Sequence, residues 1–262
     1  MHSQRVINNH LQAITKNEQS MDKDSWLKEY GYYVVPHPDK RDTWFALLVG
    51  PDETEYSGAF LLLRITFPEK YPIAPPIIEN MCRLTTKFSE NLWSVDQKQQ
   101  LLCSDDQYRD FYGLLCLDVL NTPHSEVVAS GYGQMQEIYD KTKEKYSPVM
   151  GIGSILLATR SMVMTKETKL AHLDVASLKY LVSVNLTIGF STSILKPETK
   201  DFREFIVYKP GEREVIQKYK DIVSYVVKKN KTVYQNLLES SDINVRLSES
   251  ERQQLQDLIS LE

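Results

Sequence analysis

Cysteine is scarce in this chain. There are three in 262 residues, Cys82, Cys103 and Cys116. The count is odd and no pair has C-x-x-C spacing, which argues against a disulfide framework and for a reducing compartment. The five histidines are scattered, so no zinc-ligand pattern forms and no metal is expected. No glycine-rich phosphate loop occurs, so no nucleotide site is visible. An excess of positive charge is also lacking. The formal net charge is −4 with a pI near 5.8, which leaves no global basic field for nucleic acid or anionic lipid. The Lys228-Lys229-Asn230-Lys231 run reads as a solvated helix face. The longest apolar stretch, Val149 to Met164, is interrupted by Ser154, Thr159, Arg160 and Ser161, too short and too polar for a bilayer span. The first residues run into a polar helical pattern without a signal-peptide apolar core. The expectation is a soluble chain of the cytoplasm, with the nucleus also open.

What is present is ordinary globular material, 42% hydrophobic and 25% charged. Ile7, Leu11 and Ile14 share a helical face near residues 4–16. Strand-like runs follow at 32–35, 43–49, 59–67 and 77–78, separated by Pro and Gly-Pro turn signals. In the third run Leu61, Leu63, Ile65 and Phe67 alternate against Arg64 and Thr66. Short links between successive strands favour an antiparallel meander. Residues 82–112 and 121–145 are polar and weakly periodic. Ile152, Ile155, Leu156 and Val163 then define a helix face. The segment 181–208 is ambiguous between strand and helix. Val215, Tyr219, Ile222, Val226, Val233 and Leu237 keep a helical period, and Ser248-x-x-Glu251 reads as the cap of a last helix carrying Leu255, Leu258 and Ile259. The layout is α+β with an added helical part.

Two segments carry chemistry when read together. One runs from Gly50-Pro51 through Tyr56-Ser57-Gly58-Ala59-Phe60 to Phe67-Pro68-Glu69-Lys70-Tyr71-Pro72-Ile73-Ala74-Pro75-Pro76. The other is Gly113-Leu114-Leu115-Cys116-Leu117-Asp118. With Tyr146-Ser147-Pro148-Val149 downstream, these pieces resemble the ubiquitin-conjugating enzyme family, in the family's order, over roughly residues 4–170. Prolines of this kind by themselves only end pairing and stiffen a turn, and a lone Tyr-Pro-x-x-Pro also resembles the non-catalytic RWD domains. A buried cysteine among leucines is more often a small hydrophobe than a nucleophile. The Gly-x-x-Cys-Leu-Asp segment, placed after the proline segment, tips the reading toward catalysis.

The resemblance implies an α+β ubiquitin-conjugating-enzyme-like fold, a four-stranded antiparallel meander flanked by helices. It divides the chain into a catalytic core, 1–170, with insertions near 94–111 and 121–145, and a mainly helical C-terminal extension, 171–262. It implies a thioester carrier with Cys116 as nucleophile. No Lys, Arg or His adjoins Cys116 in sequence to acidify its thiol. The family's oxyanion donor is the asparagine of a His-Pro-Asn tripeptide, absent here. The matching segment, Phe88-Ser89-Glu90-Asn91, offers Asn91, 25 residues before Cys116, so the 94–111 segment has to loop out. The implied partners are ubiquitin or a ubiquitin-like protein, a separate activating enzyme that consumes the ATP, a ligase, and a substrate protein. Partner recognition maps onto the first helix, Ile73, and Ser147-Pro148. The 121–145 insertion reads equally as a flap beside the thiol and as a solvated loop. A catalytically inactive binding or scaffold protein is the alternative. A cysteine hydrolase would need a base, with His124 and His172 nearest in sequence but in no hydrolase motif.

Overall fold

Helix α1 (His2–Gln19) buries Ile7 and Ile14 along one stripe, with Leu11 packed beside them, the spacing an amphipathic helix requires. It opens a computed structural model that describes residues 2–54, 56–81, 92–95, 101–102, 112–115, 146–164, 212, 215, 217–239 and 249–260. A second helix, α2 (Lys23–Glu29), was not expected from apolar periodicity, because its inward face is only Trp26-Leu27. Its start is set by Asp22, whose backbone is extended and whose carboxylate accepts from the Ser25 N–H at 3.0 Å. Its end is set by Gly31, at φ +60°, a left-handed backbone that glycine adopts without Cβ strain.

Four strands follow as the expected meander: β1 (Tyr32–Pro36), β2 (Thr43–Val49), β3 (Phe60–Thr66) and β4 (Ile77–Asn80). Neighbours pair antiparallel, with Tyr33 opposite Leu47, Leu47 opposite Leu62 and Ile65 opposite Ile78. The same sheet continues through three shorter strands, β5 (Leu92–Val95), β6 (Leu101–Leu102) and β7 (Tyr112–Leu115), in the spatial order β1-β2-β3-β4-β7-β5-β6. The middle of the chain is therefore less irregular than its composition suggested. Part of the 94–111 segment is strand, and its chain returns to pair rather than simply looping out.

The sheet is covered on both sides. On one face, α3 (Ile152–Val163) buries Ile152, Ile155, Leu156 and Val163 completely. It lies so close to β1 that a Cβ on Gly153 would stand 2.7 Å from the Tyr32 hydroxyl. The opposite face carries Tyr33, Val35, Phe45, Leu47, Leu62 and Arg64, by the alternation of strand side chains. It meets a 3₁₀ turn (Gln217–Tyr219) that leads into α4 (Lys220–Lys229), and α5 (Lys231–Glu239) and α6 (Glu249–Ser260) pack against α4. The Tyr219 hydroxyl donates to the Phe45 carbonyl at 2.8 Å and reaches that of Tyr33 at 3.2 Å. Burial on both faces explains why every β2 residue is buried. Each large apolar side chain there contributes about 1.5–3 kcal/mol. The helical period from Val215 onward divides at Asn230, where α4 ends and α5 begins.

Arg160 on α3 fastens the layers. It is buried, donating through Nε to the Val49 carbonyl and through Nη2 to the Leu27 carbonyl, both at 2.8 Å. Leu27 lies in the last turn of α2, where carbonyls lack helical partners and the dipole favours a cation. Burial lowers the guanidinium pKa to about 10, so it stays charged at neutral pH. Among the described residues no helix is long and apolar enough to cross a membrane, and no cluster of three His, Cys, Asp or Glu could hold a metal ion.

Candidate functional site

Asn91 and Cys116 lie outside the described residues, as do Cys82, Cys103, His124, His172 and the 121–145 insertion. The strands flanking the first two are described. β5 and β7 pair antiparallel, with Leu92 opposite Leu115, Trp93 opposite Leu114, Ser94 opposite Gly113 and Val95 opposite Tyr112. β7 also pairs with β4, Glu79 opposite Leu114 and Asn80 opposite Gly113. Asn91 precedes Leu92 in the chain and Cys116 follows Leu115. Each is thus one peptide link from a member of the same rung.

The candidate partner surface is described in full. Ile73 is 77% exposed and Val149 is 91% exposed, the two most exposed large apolar side chains among the described residues. Pro148 is exposed and Ser147 half-buried. Exposed apolar groups on short rigid turns are unusual, because burial is favourable for such side chains. Here the turns themselves are held. The Ile73 N–H donates to the Lys70 carbonyl at 2.8 Å, and the Met150 N–H to the Ser147 carbonyl at 2.8 Å.

Buried aromatics anchor these turns from below. Tyr71 is 1% exposed and packs edge-on against Phe67, which packs edge-on against Trp44 of β2. Tyr71 Oη and His10 Nδ1 share a 2.9 Å hydrogen bond, joining the proline segment to α1. Ser3 Oγ on α1 donates to the Glu69 carbonyl at 2.9 Å. The Tyr146 hydroxyl donates to the Pro72 carbonyl at 2.9 Å. The first helix, the proline segment and the Ser-Pro-Val turn therefore meet in one place. Burial pushes the Tyr71 phenol well above its ordinary range and Tyr146 up to about 12, so both keep their protons at neutral pH. Burial pulls His10 below its ordinary value, favouring the neutral ring.

Sequence reasoning singles out Ile73, Ser147 and Pro148 as a candidate surface but not His10, Tyr71 and Tyr146 as the groups that hold those turns. The signal available was a tyrosine one or two residues before a proline in each segment, Tyr71-Pro72 and Tyr146-Ser147-Pro148. Nothing in the sequence paired either tyrosine with its partner.

Comparison with known proteins bears on the first of the two segments that carry chemistry. A family model described as "Ubiquitin-conjugating enzyme" matches residues 14–89, from α1 through the proline segment. The "Ubiquitin-conjugating enzyme E2-18 kDa" of Schizosaccharomyces pombe is 28% identical over 133 residues, 50% of this chain and 63% of that protein. The "Ubiquitin-conjugating enzyme E2 15" of the same organism is 25% identical over 176 residues, 66% of this chain and 82% of that protein. The solved structure of human "Ubiquitin-conjugating enzyme E2 G1" aligns with a TM-score of 0.38 at 19% identity, covering 62% of this chain and 93% of that one. The matched segment runs through the meander and the proline turn described above, and over that stretch the chain is similar to the ubiquitin-conjugating enzyme family; it spans less than two thirds of the length of the first curated relatives it matches.

Proposed function

We propose that the chain accepts ubiquitin or a ubiquitin-like protein as a thioester on Cys116 and passes it to a substrate lysine or to a ligase. In the first step the Cys116 thiolate attacks the carbonyl carbon of the activating enzyme's thioester, and that enzyme's thiolate leaves. The ATP is consumed there, so this chain binds no cofactor. In the second step an amine attacks the Cys116 thioester. A C–N bond forms, the C–S bond breaks, the amine gives up a proton and Cys116 departs as thiolate. The oxyanion formed on the way needs a fixed donor, and Asn91 fills that role.

The observation that carries this reading is the Leu92–Leu115 rung. The sequence separates Asn91 from Cys116 by 25 residues, yet the two are chain neighbours of residues that pair directly. A donor and a nucleophile attached to one rung suit acyl transfer. Ile73, Ser147, Pro148 and Val149 form the surface for a ligase. Apolar side chains presented on tied turns lose little freedom on binding, which favours affinity. The setting proposed is the cytoplasm, with access to the nucleus.

A charging assay tests the core of the reading. The protein is mixed with ubiquitin, ATP and an activating enzyme, and adducts are resolved with and without reducing agent. A thiol-sensitive adduct absent from Cys116→Ala is expected. Asn91→Ala should charge but discharge to free lysine about 100-fold more slowly, the scale for one lost oxyanion donor. No adduct with ubiquitin or its relatives, across several activating enzymes, would leave a silent binding protein.

A further inference from the structure

The two exposed apolar residues of the ligase surface come from turns about 75 residues apart in sequence, so their spacing is not set by the chain between them. Among the described hydrogen bonds, the one joining the two turns directly is the Tyr146 hydroxyl to the Pro72 carbonyl, at 2.9 Å. Its ends are well chosen. Pro72 adjoins Ile73, and Tyr146 stands three residues before Val149. Both ends are fixed from behind. Tyr146 is 7% exposed, and Tyr71, the residue before Pro72, is buried against Phe67 and bonded to His10 of α1. The Met150 N–H closes the 147–150 turn onto the Ser147 carbonyl, so a shift at Tyr146 passes to Val149.

We propose that the Tyr146 hydroxyl is a positioning residue for ligase docking, holding Ile73 and Val149 at a fixed separation so that one ligase knob engages both. This rests on the ligase-surface reading above. It adds that recognition depends on a buried hydroxyl that touches no partner. Without the hydroxyl, each turn keeps its own backbone hydrogen bond and its exposed apolar residue, but their relation loosens. The partner then has to fix that relation itself on binding, and binding weakens.

The test uses full-length protein charged with ubiquitin and a panel of RING-type ligase domains. The domain giving the strongest stimulation of lysine discharge from the wild type is carried forward. Stimulation is the ratio of discharge with and without the domain, read on equal amounts of charged enzyme. Tyr146→Phe removes the hydroxyl and keeps the ring. It should raise the half-saturating concentration of the domain by about fivefold, the worth of one intramolecular hydrogen bond, with the loss in that concentration rather than in the plateau. Ile73→Ala and Val149→Ala, at exposed positions that do not threaten the fold, should each raise it too. Adding Tyr146→Phe to either should cost little more, since positioning is worthless once an anchor is gone. A Tyr146→Phe effect that persists undiminished in the Ile73→Ala background would overturn the proposal, as a general structural defect. So would a wild-type response to the domain in Tyr146→Phe while Ile73→Ala is impaired, and that outcome leaves the ligase surface standing. If no domain stimulates the wild type, or Ile73→Ala and Val149→Ala respond normally, the ligase-surface reading itself falls and this inference falls with it.

Discussion

Arg64, in the middle of β3, and Glu212, 148 residues further along, form a buried two-point ion pair, Nε to Oε1 at 2.9 Å and Nη2 to Oε2 at 2.6 Å. Both side chains are almost wholly inaccessible, and Arg64 Nη1 also reaches the Glu79 carboxylate on β4 at 3.3 Å. The pair fastens the C-terminal part to the sheet at a point where every neighbouring position on the strand is buried. Removing one partner strands a charge in the interior. Glu212→Ala should therefore cost about 3–5 kcal/mol in chemical denaturation. Arg64→Met combined with Glu212→Leu should recover most of that, because no unpaired charge remains. A Glu212→Ala protein as stable as the wild type would show that the pair does not hold this layer.

The same layer predicts the behaviour of a shortened chain. Tyr219, Val223, Val226, Val227 and Tyr234 are all at most 1% exposed and share one buried cluster with Phe45, Leu47 and Leu62, which lie on one face of the sheet. A protein ending at residue 170 would expose that face. Contiguous apolar surface of this kind drives association. The truncated protein should bind a hydrophobic dye and elute as aggregate in size-exclusion chromatography, where the full chain does neither. A monodisperse, dye-silent truncation would mean that the helices are dispensable to the sheet.

How far the sequence could be read follows from where each signal lives. The strand alternation of Leu61, Leu63 and Ile65 is local, and it located β3 within a residue. The same alternation puts Arg64 on the other face and says nothing of what covers it. Its burial depends on Glu212, and no local pattern links positions 148 residues apart. Helix α2 was missed because seven residues offer one turn of buried face. Its mark was the Asp22-to-Ser25 cap, and apolar periodicity does not see caps. In the site, Ile73 was legible because flanking prolines force a stiff turn. The pairing of β5 with β7 was not, because four-residue strands are too short to show a period. The Tyr146 tether was also out of reach, since it joins a side chain to a carbonyl 74 residues away.

Arg160 and Gly31 give a test of the other face. An ideal Cβ on Gly31 would stand 2.2 Å from Arg160 Cζ, and the residue sits at φ +60°. Gly31→Ala adds backbone strain of about 1–3 kcal/mol and displaces the guanidinium from the Val49 and Leu27 carbonyls. Arg160→Met removes the guanidinium outright and leaves those carbonyls short of a donor, at about 1–3 kcal/mol each when buried. In urea, both variants should be destabilised by more than about 1 kcal/mol. The double variant should cost less than the sum, because the clash disappears with the guanidinium. Strict additivity would show that the two residues do not act on each other.

The His10–Tyr71 contact predicts an acid-side loss of stability. Burial is the cause of the His10 shift and lowers its pKa from the ordinary 6.5. The folded protein therefore binds the proton less readily than the unfolded chain. Where the unfolded state binds more protons, stability rises with pH. The His10 contribution is thus complete above about 6.5 and declines as pH falls below that toward the lower, folded value. Protonation also changes the donor pattern at Nδ1, where Tyr71 Oη now sits at 2.9 Å. Thermal unfolding followed from about pH 7.5 to about pH 5 should show the midpoint falling on the acid side. In His10→Gln that slope should be shallower, since the titrating group is gone and an amide can still bond Tyr71. Equal slopes in the two proteins would assign the acid sensitivity to other groups and leave His10 as a packing residue beneath the proline turn.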